Sequence, residues 1–309
     1  MVRPDIEDFL NREYTEGPFS LEAQLQTNGQ RLAYRAVTPA GCWVVKLTDP
    51  GRAEEVVSAD VNTPAYLASL GFPAPRPLAA GNGQLYLPYE DRFIYLYEYI
   101  PGEHPCPTDA FYARLGETLA RLHSLPCGSM PDSAYRPPEI LAGVREHLLR
   151  VERSPRLPEE QRAVLPEIDR ILQAIPPFVM LPRGIIHTDP YYVNLIETPA
   201  RELALIDWED GGVSYPLLDV GYVVGPMSTF TARDRRLWNV PGPSEGLTWL
   251  PDWGKIFLAA YEKVRPLTPD ERALLPAAIR VSFLAYIPMW GEEQIILDNY
   301  LRMQMVAPG

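Results

Sequence analysis

Several features that mark membrane, secreted or metal-ligating chains are missing from these 309 residues. No apolar run reaches the roughly 18 residues that a membrane-spanning helix requires, and the charged N-terminus does not resemble a signal peptide. The three cysteines, Cys42, Cys106 and Cys127, are scattered without metal-ligand spacing and are expected to be free thiols in a reducing compartment. The sequence therefore predicts a cytoplasmic globular protein that does not contact a membrane.

Positively charged residues are also fewer than negatively charged ones. The chain has 28 Lys and Arg and 40 Asp and Glu, which gives a net charge of −12. This balance disfavours nucleic-acid binding, because a protein that contacts phosphate backbones needs the opposite sign. An acidic surface could attract a cationic substrate, although it is more often simply the surface of an ordinary soluble protein. The 34 prolines are spread along the chain, which predicts rigid loops and helix starts instead of a disordered linker.

Between residues 184 and 210, polar residues that handle metals or protons fall at set offsets: His187, Asp189, Asn194 and Asp207. Two short apolar runs, 195–196 and 203–206, predict an antiparallel hairpin centred between residues 200 and 201. In that register Asn194 lies opposite Asp207. Amide and carboxylate oxygens suit Mg²⁺, which takes one or two protein carboxylates together with substrate phosphates.

This set of residues matches the needs of phosphoryl transfer. That reaction uses one carboxylate to orient the attacking hydroxyl and accept its proton, and an Asp and an Asn to hold the metal ions. Asp189 is the candidate for the first role, and Asn194 and Asp207 are the candidates for the second. The alternative is a pair of ordinary turns, because Asp and Asn are common turn formers beside strands.

The spacing His-x-Asp-x-x-x-x-Asn, followed by a strand that ends in Ile-Asp, resembles the protein-kinase-like superfamily. The His-Thr-Asp opening and the Ile-Asp-Trp-Glu ending are similar to the aminoglycoside phosphotransferase and choline kinase family. The resemblance implies a bilobal α+β protein-kinase-like fold. Residues 1–102 would form the strand-rich nucleotide-binding lobe with its hinge, and residues 103–309 the larger, mainly helical lobe with the catalytic hairpin and acceptor site.

Alternating residues in the first part of the chain predict strands at 19–25, 31–37 and 42–47. The resemblance implies that the turn at Asn28 and Gly29 folds over the nucleotide phosphates with its backbone amides as donors. It also implies that Lys46, on the third strand, contacts the α- and β-phosphates. A solvent-facing strand lysine is the alternative for Lys46.

A kinase-like fold needs an acidic partner for that lysine on the next helix. By its spacing from the Gly-Phe-Pro-Ala-Pro segment at residues 71–75, Asp60 is the best placed acid, with Glu54 and Glu55 as alternatives. The family usually has Glu at this position. We expect Pro64 to interrupt or restart the helix, because proline removes a backbone donor.

Residues 92–102 predict a buried strand ending in Pro-Gly, which resembles the hinge of the same family. The resemblance implies that the Tyr97 carbonyl and the Tyr99 amide hydrogen-bond the adenine edge. An ordinary tyrosine-rich edge strand is the alternative.

From residue 108 onward the pattern is helical, and Thr108 is a good N-cap for the first helix. Further helices are predicted at 138–153, 158–175, 249–265, 268–288 and 291–305. The resemblance implies support roles for His187, which would pack under the catalytic loop, and for Asp219, which would tie the loop backbone by hydrogen bonds. We expect His123 to bind neighbouring backbone at its helix end.

The acceptor site is the least defined part of the sequence. Glu209 is either a substrate-facing acid or a plain surface acid. Trp290 and Glu293 lie near Tyr286 in the chain, and an aromatic and acidic pocket would suit a cationic amine such as an aminoglycoside, choline or homoserine. The alternative is core aromatics beside a solvated helix face.

Together these features predict an ATP- and Mg²⁺-dependent phosphotransferase acting on a hydroxyl of a small polar metabolite, with its oligomeric state left open. Two other classes stay open. One is a nucleotide-binding regulator without turnover, and the other is a Ser/Thr protein kinase. The second is disfavoured because no long activation loop fits between Asp207 and Asp219.

Overall fold

The computed structural model describes residues 4–25, 31–288 and 294–307. The chain divides into two compact units. Unit 1 comprises Met1–His104 and Asn194–Gly211, and unit 2 comprises Pro105–Val193 and Gly212–Gly309. The expected boundary near residue 102 falls close to the first change of unit. The hairpin that carries Asn194 and Asp207, expected in the C-terminal part, instead belongs to unit 1.

The strands, in chain order, are β1 (Ser20–Leu25), β2 (Leu32–Thr38), β3 (Gly41–Leu47), β4 (Pro77–Leu78), β5 (Leu87–Tyr89), β6 (Arg92–Glu98), β7 (Gly184–Ile186), β8 (Leu195–Glu197), β9 (Leu203–Leu205), β10 (Gly212–Ser214), β11 (Thr229–Phe230) and β12 (Thr248–Trp249). The helices are α1 (Pro4–Glu13), α2 (Glu54–Ser69), α3 (Asp109–His123), α4 (Pro137–Glu152), α5 (Glu159–Ala174), α6 (Leu217–Val224), α7 (Ala232–Trp238), α8 (Pro251–Val264), α9 (Pro269–Ala285) and α10 (Gln294–Val306).

Unit 1 is built on an antiparallel sheet of order β1-β2-β3-β6-β4, with β5 also paired to β6. Because side chains alternate along a strand, its two faces bury different residues. One face packs Val45, Leu47, Ile94 and Leu96 with Ile6 and Leu10 of α1. The other packs Tyr95 and Tyr97 with Val57 and Val61 of α2. Lys46 is paired with Tyr95 in the β3–β6 register and therefore lies on the α2 face.

Helix α2 runs without interruption through Pro64, so the expected break there was wrong. Proline cannot donate to the carbonyl four residues earlier, which belongs to Asp60. That carbonyl instead accepts a hydrogen bond from the Tyr97 hydroxyl at 2.8 Å. The strand side chain supplies the donor that proline removes, and the helix continues. Pro166 likewise lies inside a helix, α5, which continues past it to Ala174.

The predicted hairpin forms between β8 and β9, but its register was wrong by one residue. The pairs are Leu195 with Leu205, Ile196 with Ala204 and Glu197 with Leu203. The loop holds three residues between Thr198 and Glu202, and its third residue, Arg201, has a left-handed φ of 66°. A three-residue loop with that geometry is a common hairpin connection, and it shifts the pairing centre from between two residues onto Ala200.

Several contacts tie the hairpin and the residues that follow it to the rest of unit 1. Leu205 N–H donates to the Pro73 carbonyl at 3.1 Å. Glu103 and Glu197 exchange backbone hydrogen bonds of 3.2 and 2.8 Å. The rings of Phe72 and Trp208 meet edge to face at 6.4 Å. These contacts explain why the segment belongs to unit 1 although its sequence lies within the C-terminal two thirds.

Unit 2 is mainly helical. Helix α3 begins as predicted, with the Thr108 hydroxyl accepting from Phe111 N–H at 3.2 Å. It packs closely against α8, where a Cβ on Gly116 would lie 2.4 Å from the Phe257 carbonyl oxygen. Helix α6 packs against α9 in the same close manner. Residue 249, expected in a helix, lies in β12, and α8 begins at Pro251 because proline suits the first helical turn.

Two expectations about composition can be compared with the described residues. No helix among them is long and apolar enough to cross a bilayer. Cys42, Cys106 and Cys127 are free thiols, as predicted.

Candidate functional site

Lys46 lies between two acids in unit 1. Its Nζ is 2.9 Å from Asp207 Oδ1 and 3.9 Å from Asp60 Oδ2. Burial alone would lower the pKa of Lys46, but the carboxylates of Asp60 and Asp207 outweigh burial and raise it. The lysine is therefore a permanent cation, and the surface-lysine alternative does not describe it.

Asp60, the acid that spacing favoured, is buried and fixed from the sheet. The Tyr95 hydroxyl donates to its Oδ2 at 2.5 Å, and burial, reinforced by this carboxylate, raises the pKa of Tyr95 well above its usual range. Glu54, an alternative partner, instead accepts from the Tyr86 hydroxyl at 3.1 Å. A shorter acid serves here in place of the family's usual Glu, because α2 and β6 hold it against the lysine.

Asn194 and Asp207 lie at the open end of the hairpin. Ile206 N–H donates to the Asn194 carbonyl at 2.9 Å, so Asn194 is opposite residue 206, and Asp207 follows one residue beyond. Asp207 has a left-handed φ of 66°, a conformation that Asp tolerates better than most residues. This turn ends the strand and directs the carboxylate to Lys46.

The hairpin end fits Mg²⁺ better than a metal that needs an all-protein cage. Among the described residues, no group of three or more His, Cys, Asp or Glu side chains could hold a metal ion. Mg²⁺ needs only one or two protein oxygens beside water and phosphate, and Asn194 and Asp207 offer an amide and a carboxylate. The Asp207 side chain is 35% exposed, so it is accessible to a hydrated ion.

Glu209 is mostly buried and is held by two arginines, so it is not a plain surface acid. Its Oε1 is 2.6 Å from the Arg31 guanidinium, and its Oε2 is 2.9 Å from that of Arg52. Burial and the charge of Asp207 raise the pKa of Glu209, although Arg31 opposes the rise. Arg31 also contacts Asp49 at 3.1 Å. Sequence reasoning missed both arginines because they are remote from the hairpin in the chain.

The adenine contacts expected at Tyr97 and Tyr99 do not fit the pairing of the hinge strand. The Tyr99 amide donates to the Cys42 carbonyl at 3.0 Å, so it is engaged within the sheet. Tyr97 is paired with Val44 on one side and Pro77 on the other. Hydrogen bonding alternates along an antiparallel strand, so the carbonyl of Glu98 and the amide of Ile100 point away from β3.

The loop that carries Asp189 lies in unit 2 and follows β7, which pairs with β10. The Asp219 carboxylate accepts from the backbone amides of His187 and Thr188 at 2.8 and 2.9 Å, as the resemblance implied. Thr188 has a left-handed φ of 81°, which costs a β-branched residue on the order of 1–3 kcal/mol. The two charge-assisted hydrogen bonds offset that cost. His187 is fully buried beside this loop.

His123 takes part in the same network, although we expected it to bind backbone. Its Nε2 is 3.1 Å from Asp219 Oδ2, and its Nδ1 is 2.8 Å from the Tyr261 hydroxyl. Burial lowers the pKa of His123, although Asp219 opposes the change. The imidazole is therefore a neutral partner for Asp219 near neutral pH.

Asp189 is partly buried and accepts two phenol hydrogen bonds. The hydroxyls of Tyr222 and Tyr286 lie 2.6 and 3.2 Å from its Oδ1. Sequence reasoning did not identify Tyr222 and placed Tyr286 with the acceptor residues. The available signal was that Tyr222 lies three residues after Asp219, on the same face of a helix.

Four residues with predicted roles lie outside the described part of the chain. They are Asn28 and Gly29 of the phosphate-covering turn, and Trp290 and Glu293 of the candidate acceptor pocket.

The chain matches the model of the phosphotransferase enzyme family over residues 25–274. A homoserine kinase of Polaromonas naphthalenivorans is 31% identical over 222 residues, covering 70% of this chain and 64% of that protein. One from Gluconobacter oxydans is 29% identical, covering 70% and 66%. The chain thus spans slightly less than two thirds of the length of these relatives.

Solved structures show the same fold at low identity. A microcompartment-associated aminopropanol kinase has a TM-score of 0.68 at 17% identity, covering 99% of this chain and 95% of that one. A spectinomycin phosphotransferase in complex with ADP and its antibiotic has a TM-score of 0.58 at 16% identity, covering 99% and 94%. The fold is therefore the kinase-like one that the resemblance implied. Since the family model covers most of the sequence, this chain belongs to the phosphotransferase enzyme family.

Proposed function

We propose that this protein transfers the γ-phosphoryl group of ATP to a hydroxyl group of a small polar metabolite. The observation that carries the proposal is the position of Lys46, between an acid of α2 and the aspartate that ends the hairpin. A partly buried cation held by carboxylates is the arrangement that grips nucleotide phosphates in kinase-like enzymes. Membership of the phosphotransferase enzyme family supports the same chemistry.

In unit 1, Lys46 would neutralise the nucleotide phosphates while Asp60 fixes the direction of the lysine. Asn194 and Asp207 would hold Mg²⁺, which when bound supplies charge neutralisation for the phosphoryl group. The backbone of Glu98 and Ile100 is the candidate for adenine recognition, in place of Tyr97 and Tyr99.

In unit 2, Asp189 would orient the acceptor hydroxyl and take its proton. The hydroxyl oxygen forms the new bond to the γ-phosphorus, the bond to the β-phosphate oxygen breaks, and ADP leaves. Asp219 and the buried His187 keep the loop backbone in place, which matters because this reaction depends on positioning and electrostatics.

The acceptor is proposed to be an amino alcohol. The homoserine kinases among the relatives support this class, and the acidic net charge would favour a cationic group on the acceptor. Homoserine is the first candidate, with choline and aminoglycosides as further ones. We propose a cytoplasmic location, with no nucleic-acid or membrane partner.

The test is a coupled ADP-release assay with Mg-ATP and a panel of homoserine, aminopropanol, ethanolamine, choline and aminoglycosides. We expect turnover with at least one amino alcohol. Asp189→Asn should remove that turnover while Mg-ATP affinity stays near the wild-type value. Asp252→Asn, which changes an exposed acid of α8, is the matched control and should turn over normally.

Two results would contradict the proposal. One is normal turnover by Asp189→Asn. The other is binding of Mg-ATP without turnover on any member of the panel, which would favour a nucleotide-binding regulator. The presence of Asp189, Asn194 and Asp207 together argues against that alternative.

A further inference from the structure

The side chain of Asp189 is held by two tyrosines that come from different helices of unit 2. Tyr222 lies on α6 and donates to Asp189 Oδ1 at 2.6 Å. Tyr286, at the end of α9, donates to the same oxygen at 3.2 Å. The two rings are 5.7 Å apart and tilted by 31°, and Tyr222 is only 3% exposed. Two donors on one oxygen restrict the rotation of the carboxylate more than either would alone.

Helix α6 contacts three consecutive residues of the catalytic loop. Asp219 accepts from the amides of His187 and Thr188, and Tyr222 donates to the side chain of Asp189. Residues three apart on a helix lie on the same face, so one rigid element fixes both the loop backbone and the carboxylate.

The close packing of α6 on α9 brings the second phenol into place. A Cβ on Gly221 would lie 2.7 Å from the Ala278 carbonyl carbon, and one on Gly225 would lie 2.9 Å from a methyl of Ile279. Larger residues would therefore push α9 away from α6. The two glycines let the end of α9 reach Asp189, so Tyr286 and Tyr222 act on one oxygen.

We propose that Tyr222 and Tyr286 are positioning residues that orient the Asp189 carboxylate toward the acceptor hydroxyl. This inference rests on the proposed function, in which Asp189 is the base. A carboxylate has about four lone-pair sites on its two oxygens, so it can accept two phenols and still accept the proton of a substrate hydroxyl.

The phenols suit this task because they are neutral donors. Burial, reinforced by the Asp189 carboxylate, raises the pKa of Tyr222 and of Tyr286 well above the usual range, so both stay protonated. Two further tyrosines lie close to this pair. Tyr135 also raises the pKa of Tyr286. Burial raises the pKa of Tyr191, two residues after Asp189, to about 12. Donors to the ionised form of a carboxylate favour that form, so losing one should shift the acid limb of the pH profile upward.

The test is steady-state kinetics of Tyr222→Phe, Tyr286→Phe and the double variant, each measured across pH with Mg-ATP and the best acceptor. Loss of a hydrogen bond to a charged group lowers a rate constant by about tenfold when that bond stabilises the transition state. We therefore expect kcat to fall about tenfold in Tyr222→Phe. The loss should be smaller in Tyr286→Phe, whose bond is longer. The acid limb of kcat/KM should move up by about half to one pH unit, with KM for ATP unchanged.

Tyr89→Phe is the matched control, because the Tyr89 hydroxyl also donates to a carboxylate, that of Asp5 in unit 1, at 2.9 Å. It should keep the wild-type kcat and pH profile. Thermal melting of all variants checks folding.

Wild-type acid limbs in both single variants would overturn the inference, even if kcat fell, because only a structural role would then be left. So would wild-type kcat in the double variant. Normal turnover by Asp189→Asn would instead overturn the proposed function, which keeps the two failures distinct.

Discussion

The two units hold their functional carboxylates by different means. In unit 1, Asp207 is paired with Lys46, and Glu209 is paired with two arginines. In unit 2, Asp189 accepts from two phenols, and Asp219 accepts from two backbone amides and a neutral histidine. Asp207 and Glu209 of unit 1 are thus held by cations, whereas Asp189 and Asp219 of unit 2 are held by neutral donors.

The difference follows from what each carboxylate would do. A residue that binds Mg²⁺ and phosphates can exchange one ionic partner for another, so a lysine can hold it between reactions. A base that must take a proton is weakened by a nearby cation, because the opposite charge favours its ionised form. Neutral donors orient such a base at a smaller electrostatic cost.

The largest predicted effect is that of Asp207→Asn. The change removes the only charge among the two proposed metal ligands and leaves Lys46 with Asp60 alone. We expect kcat/KM to fall on the order of a thousandfold, about 4 kcal/mol, since a metal ion stabilises the transition state by several kcal/mol. Nucleotide binding should also lose its dependence on Mg²⁺, measured by calorimetry with and without the ion. Asp210→Asn, an exposed neighbour with the same change of charge, should keep that dependence. A normal Mg²⁺ response in Asp207→Asn would remove it from the metal site.

Asp219→Asn should have the next largest effect. The amide would keep one acceptor and place an N–H₂ group against a backbone donor, all in a site with no exposure. Because a broken buried network leaves unpaired groups, we expect a loss of about 3 kcal/mol in the free energy of unfolding. Urea denaturation measures this, and Asp91→Asn, at an exposed loop position, is the control. An unchanged midpoint would show that the loop does not depend on Asp219.

Much of this comparison could be predicted from the sequence, because a short sequence pattern determines where the residues within that same segment lie. Strand alternation predicted the strand that carries Lys46, and spacing from the Gly-Phe-Pro-Ala-Pro segment at residues 71–75 favoured Asp60 over Glu54. Motif spacing identified Asp189, Asn194, Asp207 and Asp219. Each of these depends on a short segment whose periodicity decides which face a residue occupies.

The wrong or missing predictions depended on features that the periodicity of the sequence does not encode. The hairpin register depended on one left-handed residue, Arg201, in an odd-numbered loop. The hinge assignment failed because strand pairing decides which alternate amides are engaged, as at Tyr99. The partners of Glu209 and the phenols on Asp189 come from residues distant in the chain, and only packing brings them together.

Acid should weaken the neutral arrangement of unit 2 by charging a buried histidine. The pKa of His123 is lowered by burial, and the pKa of His147 is lowered by burial and by Arg150. Below the ordinary histidine pKa near 6.5, the unfolded chain therefore binds more protons than the folded one. The free energy of unfolding should fall with decreasing pH, by up to about 1.4 kcal/mol per pH unit for each histidine, until the folded pKa is passed.

Urea melts from pH 7.5 to 5 measure that slope in the wild type, in His123→Gln and in His147→Gln. Each variant should lose one histidine's share of the slope, even if His123→Gln is less stable throughout. A wild-type slope in His123→Gln would mean that folding does not lower the pKa of this histidine, and the neutral hold on Asp219 would lose its support.

The smallest predicted effect is the salt dependence of the Arg52–Glu209 pair. Both side chains are partly exposed, at 30% and 20%, so screening by ions reaches them. A double-mutant cycle with Arg52→Gln and Glu209→Gln should give a coupling of about 0.5–1 kcal/mol at low salt that shrinks toward zero near 1 M NaCl. The stability change caused by Tyr222→Phe should stay constant over the same range, because its donor is neutral and buried. Equal salt dependence in the two measurements would contradict the division into an ionic hold in unit 1 and a neutral one in unit 2.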